Sequence, residues 1–244
     1  MSQNENNINA TVRLFGASVD KVKNEIAALD LPEKTAITLR RESHVIYLNI
    51  SAKDNESLDK TLEDIMKSGL SEHIADDSVQ TLEEAAIYFL KQKGLTLALA
   101  ESCTGGLCAA RLVDVSGASQ VFLGSVVSYA NSAKHNILGV CTSTLEKNGA
   151  VSGQTVVEMA RGARREFGAD IAVSVSGIAG PTGGTEDKPV GTVYVGYSSK
   201  NGSLAIKASF GNIGRAEIRE RSVNLMLHTI IEHTISRNGR SYTL

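Results

Sequence analysis

Glycine is distributed very unevenly along this chain of 244 residues. Only three of its 22 glycines precede residue 95, whereas eighteen lie between Gly105 and Gly214. Formal charge changes at the same place, since residues 1–94 carry a net charge of −5 and the remainder carries +3. We therefore predict two domains, an accessory domain at 1–77 that begins with a disordered tail, and a second domain at 78–240.

The overall composition is typical of a globular protein, because 42% hydrophobic and 21% charged residues supply enough apolar mass for one large core or two small ones. The polar first residues lack the basic and apolar regions of a secretory signal, and no stretch reaches the roughly 20 apolar residues that span a membrane. Three cysteines, an odd number, favour reduced thiols over a disulfide framework. These features predict a cytoplasmic protein, and the net charge of −2 argues against general binding of nucleic acid.

The first domain has the apolar periodicity of a strand, a helix, two strands and a helix. The predicted segments are residues 10–15, 19–29, 35–41, 44–52 and 58–66. This order predicts a small α+β domain, with one antiparallel sheet and two helices on one face. KH-type RNA-binding modules use the same order, but their GxxG phosphate clamp is missing from the acidic residues 1–94. We predict a packing or assembly domain in preference to an RNA-binding one.

Helices and strands alternate in the second domain. Ser78 is the expected N-cap of a helix that runs to Lys93. The pattern then predicts strands at 96–100, 121–129, 171–176, 191–198 and 203–210, and helices at 105–113, 133–138, 154–167 and 216–235. The last two strands are joined through Asn201-Gly202, a strong hairpin signal. The prediction is an α/β domain with a mixed sheet.

Small and polar residues follow the first strand of this domain, in the motif Ala100-Glu-Ser-Cys-Thr-Gly-Gly106. Open α/β sheets place ligands where strands end, and N–H groups at the start of a helix can face a ligand oxygen. The alternative interpretation is a tight turn in which Ser102 caps the helix. The motif matches neither the Walker phosphate loop nor the dinucleotide fingerprint, so we do not predict nucleotide hydrolysis by those routes.

A second strand-to-helix junction contains Tyr129 and Lys134. A desolvated lysine with a lowered pKa can take the hydroxyl proton of Ser102, and a tyrosine can orient or relay it. The alternatives are a solvated helix residue for Lys134 and a core residue for Tyr129. Cys103 is a rival nucleophile beside Ser102.

Glycine is most frequent in the loop from Val175 to Thr185, which precedes Lys188-Pro-Val-Gly-Thr192. Such a loop suits close approach of the backbone to a ligand, and a mobile surface loop is the alternative. Arginines at 215, 219 and 221 can meet a phosphate, or can lie on a solvated helix face. The histidines and cysteines never have zinc-ligand spacing, so we predict no metal site.

Five motifs of the second domain resemble, in order and spacing, the CinA carboxy-terminal domain family of nicotinamide mononucleotide (NMN) deamidases. They are Ala100-Glu-Ser-Cys-Thr-Gly-Gly106, Tyr129-Ala-Asn-Ser-Ala-Lys134, Gly149-Ala-Val-Ser152, Gly177-Ile-Ala-Gly-Pro181 and Lys188-Pro-Val-Gly-Thr192. The resemblance covers residues 78–236 and implies a three-layer α/β domain. It also implies a homo-oligomer, most simply a dimer, and an activity that uses no cofactor. Residues 1–77 resemble, more weakly, the middle domain of full-length CinA-like proteins, whose amino-terminal molybdopterin-binding-like domain we expect to have no counterpart.

The family resemblance implies hydrolysis of the NMN carboxamide to nicotinate mononucleotide and ammonia. It makes Ser102 the nucleophile, Lys134 the general base and Tyr129 the residue that orients them. The implied substrate contacts are Thr104, Gly105, Gly106, Ser176, Gly177, Gly180, and Arg215 or Arg219 for the phosphate. Backbone N–H groups near 104–106 are the candidate oxyanion donors, each worth about 3 kcal/mol. The competing hypothesis is a non-catalytic nucleotide-binding or assembly module linked to competence or the DNA damage response.

Overall fold

The computed structural model describes residues 7–236, whose contacts form two compact units that divide between Leu82 and Glu83. The predicted tail before residue 7 and the predicted domain end at residue 240 lie outside the described residues. None of the helices within 7–236 is long and apolar enough to cross a bilayer.

The first unit is a three-stranded antiparallel sheet with two helices. Its elements are β1 (Ile8–Phe15), α1 (Val19–Ala27), β2 (Ala36–Glu42), β3 (Val45–Ala52) and α2 (Asn55–Lys67). The central strand is β3, in the order β1-β3-β2. Its inward residues Leu48 and Ile50 pack in one core with Val22 of α1 and Ile65 of α2. The predicted α+β order is confirmed.

The second unit begins with α3 (Leu82–Lys93), which starts at the division between the units, and alternates helices with strands. The other elements are β4 (Leu97–Glu101), α4 (Leu107–Val113), β5 (Phe122–Val127), α5 (Asn131–Leu138), α6 (Thr142–Asn148), α7 (Gly153–Phe167), β6 (Ile171–Gly177), β7 (Thr192–Ser199), β8 (Gly202–Ser209) and α8 (Arg215–Ile235). The strand order is β5-β4-β6-β7-β8. Strand β4 is parallel to β5 and β6, whereas β7 and β8 are antiparallel additions, so the predicted mixed α/β sheet is confirmed.

Helices cover both faces of this sheet. On β7, a Cβ at Gly196 would lie 2.3 Å from the carbonyl oxygen of Val156 in α7, so only glycine fits there. The next residue, Tyr197, faces the other way and its ring lies 4.5 Å from that of His233 in α8. The sheet is therefore the middle of three layers.

The parallel strands end together at one edge of the sheet. In register, Glu101 at the end of β4 lies beside Val127 of β5 and Val175 of β6. The loops that follow these strands contain Ser102, Tyr129 and the glycine-rich segment, so the fold gathers the three polar motifs at one place.

The structure differs locally from one prediction, from one alternative interpretation and by one additional helix. Ser78 does not cap a helix, because α3 begins at Leu82 and the Ser78 N–H donates to Asp76 in a turn. Ser102 does not cap α4 either, since the N-cap is Gly106 and no side chain caps it. Helix α6 was not predicted at all.

Candidate active site

A serine–lysine pair lies at the carboxyl ends of the parallel strands. The Nζ atom of Lys134, on the first turn of α5, is 2.9 Å from the Oγ atom of Ser102, which follows β4. Only 8% of Ser102 and 1% of Lys134 is exposed. The alternative of a solvated Lys134 is therefore wrong.

The surroundings of Lys134 favour its neutral form. Burial lowers its pKa to about 8. Its Nζ atom also donates to the carbonyls of Ser128 at 2.6 Å and Tyr129 at 3.3 Å. A neutral amine has two N–H groups and one lone pair. The two carbonyls take the N–H groups, which leaves the lone pair for the hydroxyl proton of Ser102, the arrangement that a general base needs.

A carboxylate that we did not predict holds the turn containing Ser102. Glu101 is completely buried. One of its oxygens accepts from the Thr104 hydroxyl at 2.7 Å and from the N–H groups of Gly106 and Cys108 at 3.0 and 3.1 Å, and the other accepts from the Ala109 N–H at 2.9 Å. Glu101 therefore satisfies the free N–H groups at the start of α4.

Two of the three N–H groups expected to face a ligand, at 104–106, are occupied. That of Gly106 donates to Glu101, and that of Gly105 donates to the Ser102 carbonyl at 3.1 Å. The N–H groups of Cys103 and Thr104 donate to no carbonyl or carboxylate within the described residues. The predicted Thr104 N–H and the Cys103 N–H, which was not predicted, are therefore the candidate oxyanion donors that remain beside Ser102.

A cavity of about 190 Å³ lies over the serine–lysine pair. Its walls come from the β4, β5 and β6 loops, from the turn before α7 and from the start of α8. The lining residues are Ser102, Cys103, Tyr129, Lys134, Ala150, Val151, Ser176, Gly177, Ala179 and Arg215. Ala150, Val151 and Ala179 lie within the motifs of the family resemblance, but no residue-level signal had indicated them.

The structure separates the two candidate arginines. Arg215 lines the cavity and donates to the carbonyl of Gly180 at 2.9 Å and to the hydroxyl of Tyr129 at 3.1 Å. Arg219 instead donates to the carbonyl of Thr104 at 2.7 Å. Arg219 therefore supports the Ser102 turn and does not line the cavity. Four other predicted substrate contacts are also not among the lining residues, namely Thr104, Gly105, Gly106 and Gly180.

Tyr129 occupies a different position from the one that its implied role requires. Its side chain is 64% exposed, so the alternative of a core residue is wrong. Its carbonyl accepts from Lys134, but its hydroxyl bonds to Arg215 and, within residues 7–236, to neither Ser102 nor Lys134. The side chain thus lies at the mouth of the cavity and does not orient the pair directly.

Cys103 is poorly suited to act as the nucleophile. It is buried, and burial raises the pKa of its thiol to about 11. The reactive thiolate is therefore scarce at neutral pH. Among the described residues, no group of three or more His, Cys, Asp or Glu side chains is placed to hold a metal ion.

The fold and the site define an α/β domain with a buried serine–lysine pair at the ends of its parallel strands. The family model of the CinA C-terminal domain matches residues 79–234. The chain belongs to the CinA C-terminal domain family.

Several relatives support this assignment. The chain is 40% identical over 224 residues to a CinA-like protein of Kosmotoga olearia, covering 88% of this chain and 54% of the relative. It is 52% identical over 150 residues to a CinA-like protein of Pseudothermotoga lettingae, covering 60% and 37%. The chain thus spans about half the length, or less, of these curated relatives.

Solved structures resemble the second unit. The competence/damage inducible protein CihA from Agrobacterium tumefaciens matches with a TM-score of 0.60 and 43% identity, covering 64% of this chain and 98% of that one. A CinA superfamily protein from Klebsiella pneumoniae matches with the same TM-score, 32% identity and the same coverage.

Proposed function

We propose that this protein hydrolyses the carboxamide of NMN to nicotinate mononucleotide and ammonia. The observation that carries the proposal is the 2.9 Å contact between Lys134 Nζ and Ser102 Oγ in a buried site. A serine beside a lysine of lowered pKa is an activated nucleophile that needs neither histidine nor metal. The choice of an amide of a pyridine mononucleotide rests on the family resemblance of the motifs.

The proposed reaction proceeds through an ester on Ser102. The Oγ atom attacks the carboxamide carbon while its proton moves to Lys134. The C–N bond then breaks, and Lys134 gives that proton to the departing ammonia. Water attacks the ester, losing a proton to Lys134, which returns it to Ser102 as nicotinate mononucleotide leaves.

Two groups of the site support the charges of this reaction. The N–H group of Cys103, which donates to no carbonyl or carboxylate of the residues that the structure describes and whose residue lines the cavity, is the proposed donor to the tetrahedral oxyanion, where one such donor contributes about 3 kcal/mol. Arg215 is the proposed partner of the substrate phosphate, because it lines the cavity and Arg219 does not. Ser176 and Gly177 form the wall facing the substrate.

Release of ammonia tests the proposal. The purified protein with excess chelator is expected to release one ammonia per NMN consumed. The Ser102→Ala variant is expected to bind NMN and release none. Lys200→Ala, which changes an exposed lysine in the β7–β8 turn, is the control and retains activity. Equal ammonia release by wild type and Ser102→Ala would reject the mechanism.

The pH dependence of the rate follows from Lys134. Only the neutral amine accepts a proton, and its pKa in the free protein is about 8. We therefore expect kcat/KM to rise roughly tenfold per pH unit below pH 8 and to level off above it. Initial rates between pH 6 and 10, with circular dichroism as a check on folding, measure this profile. A rate that falls over this range would contradict the assignment of Lys134 as the base.

The competing hypothesis is a binding module linked to competence or DNA damage. The names of the structural neighbours, which refer to competence and damage, favour it. Calorimetry would then detect binding of a pyridine nucleotide to the wild-type protein with no turnover. Against it stands the buried amine of Lys134, which a binding module does not need.

We also propose that residues 1–77 form an accessory domain and that residues 78–240 form the hydrolase domain. The protein is proposed to be a cytoplasmic homodimer. It is proposed to have no nucleic-acid or membrane partners. Light scattering tests the dimer. A monomer at micromolar concentration would contradict it.

A further inference from the structure

Tyr129 is held by its backbone carbonyl and by its side-chain hydroxyl. The carbonyl accepts from Lys134, and the hydroxyl accepts from Arg215. The 64% exposure of the residue leaves most of the ring uncovered at the mouth of the cavity. Binding of a ligand against a ring that is already fixed and uncovered costs little side-chain entropy.

The charges that line the cavity pose a problem for an N-alkylpyridinium substrate. Among the residues that the structure describes, the lining contains two basic side chains, Lys134 and Arg215, and no carboxylate. In NMN the ring that bears the carboxamide carries a fixed positive charge. Tyr129 is the one aromatic side chain among the described lining residues, and an aromatic face attracts a cation.

The bound substrate must lie over the side chain of Tyr129. On the proposed function, on which this inference rests, the carboxamide lies at Ser102 and the phosphate at Arg215. Tyr129 lies between the lysine of that pair and Arg215, since its backbone carbonyl accepts from Lys134, its hydroxyl accepts from Arg215, and all three residues line the cavity. The ring that joins carboxamide to ribose phosphate therefore lies where Tyr129 can stack on it.

We propose that Tyr129 determines specificity for cationic pyridinium carboxamides, through stacking of its ring on the charged ring of the substrate. Its hydroxyl serves to hold the tyrosine against Arg215. This role differs from orientation of Ser102 and Lys134, because it resides in the aromatic face and acts on binding.

The test compares NMN with its 1,4-dihydro form, in which the same ribose phosphate and carboxamide are attached to an uncharged ring. Dissociation constants are measured by calorimetry in the Ser102→Ala background, where turnover does not interfere. The Tyr129→Leu variant is expected to lower the preference for the charged ring by about 3- to 30-fold. Tyr129→Phe keeps the ring and is expected to preserve the preference within about twofold.

Two results would overturn this inference. One is an unchanged preference in Tyr129→Leu, and the other is an equal loss in Tyr129→Phe and Tyr129→Leu, which would assign the effect to the hydroxyl. Thermal unfolding checks that both variants fold, as expected for an exposed side chain. Ammonia release by the variants with intact Ser102 is measured separately, so failure of the proposed hydrolysis is distinguishable from failure of the stacking.

Discussion

Methionine in place of Lys134 is expected to lower kcat/KM for NMN by about 10⁴-fold or more, as much as alanine in place of Ser102. Each change removes one half of a pair whose atoms are 2.9 Å apart, so neither half retains its function alone. The double variant is accordingly expected to be no slower than either single variant, because members of one catalytic unit are not additive. Ammonia release under single-turnover conditions measures all three.

The neighbouring thiol provides the matched control. Burial raises the pKa of Cys103 to about 11, so Cys103→Ala is expected to retain most of the activity. An inactive Cys103→Ala variant, together with an active Ser102→Ala variant, would assign the role of nucleophile to the thiol.

Loss of activity in Lys134→Met should not reflect unfolding. The pKa of Lys134 is lowered from 10.5 to about 8 in the folded protein. Between these two pH values the unfolded chain therefore binds more protons than the folded protein. Stability therefore rises with pH across this window, and below pH 8 the charged amine costs the fold up to about 3 kcal/mol. Methionine removes that cost but takes this donor from the carbonyls of Ser128 and Tyr129, a loss of about 1–3 kcal/mol for the buried Ser128 carbonyl. In chemical denaturation at pH 7, the free energy of unfolding of Lys134→Met is expected to be no more than slightly below that of the wild type.

The order of elements was predictable from sequence because most of them bury one face. The strands of the first unit alternate, and its helices repeat at three and four residues, so local periodicity decided their type. Helix α6 has no such stripe. Its start is held from α7, where Glu158 accepts from the N–H of the preceding residue Cys141 at 2.8 Å and from the Thr144 hydroxyl at 2.7 Å. A cap supplied by another helix leaves no local signal.

The site was predictable to the extent that strand ends gather polar residues. That reasoning indicated Ser102 and Lys134, which the structure brings together. It did not separate Arg215 from Arg219, because residues four apart share a helix face and only the fold shows that one reaches Gly180 and the other Thr104. Glu101 was missed because a carboxylate at the end of an apolar strand gives no indication that it turns inward.

Removal of the Glu101 carboxylate is the other change with a large expected effect. Glu101→Ala leaves the Thr104 hydroxyl and three N–H groups without an acceptor in a site closed to water, and we expect the free energy of unfolding to fall by about 3–5 kcal/mol. Chemical denaturation measures this loss. Glu101→Gln keeps one accepting oxygen and presents an amide N–H₂ to the remaining donors, so a smaller loss of about 1–3 kcal/mol is expected.

The kinetic effect of Glu101→Gln tests whether this carboxylate positions the nucleophile. Ser102 is the next residue, and the N–H groups of Cys103 and Thr104 lie in the same turn, whereas Arg215 belongs to α8. We therefore expect kcat for NMN to fall by about 10-fold or more with KM nearly unchanged, since the displaced groups act on the transition state. Glu158→Gln is the control, because it weakens a half-buried carboxylate at the start of another helix, where Glu158 accepts from the Cys141 N–H and the Thr144 hydroxyl. If both glutamine variants lost stability equally and both kept wild-type kcat, Glu101 would be a helix cap only, and the Arg219 contact with the Thr104 carbonyl would suffice to place Ser102 against Lys134.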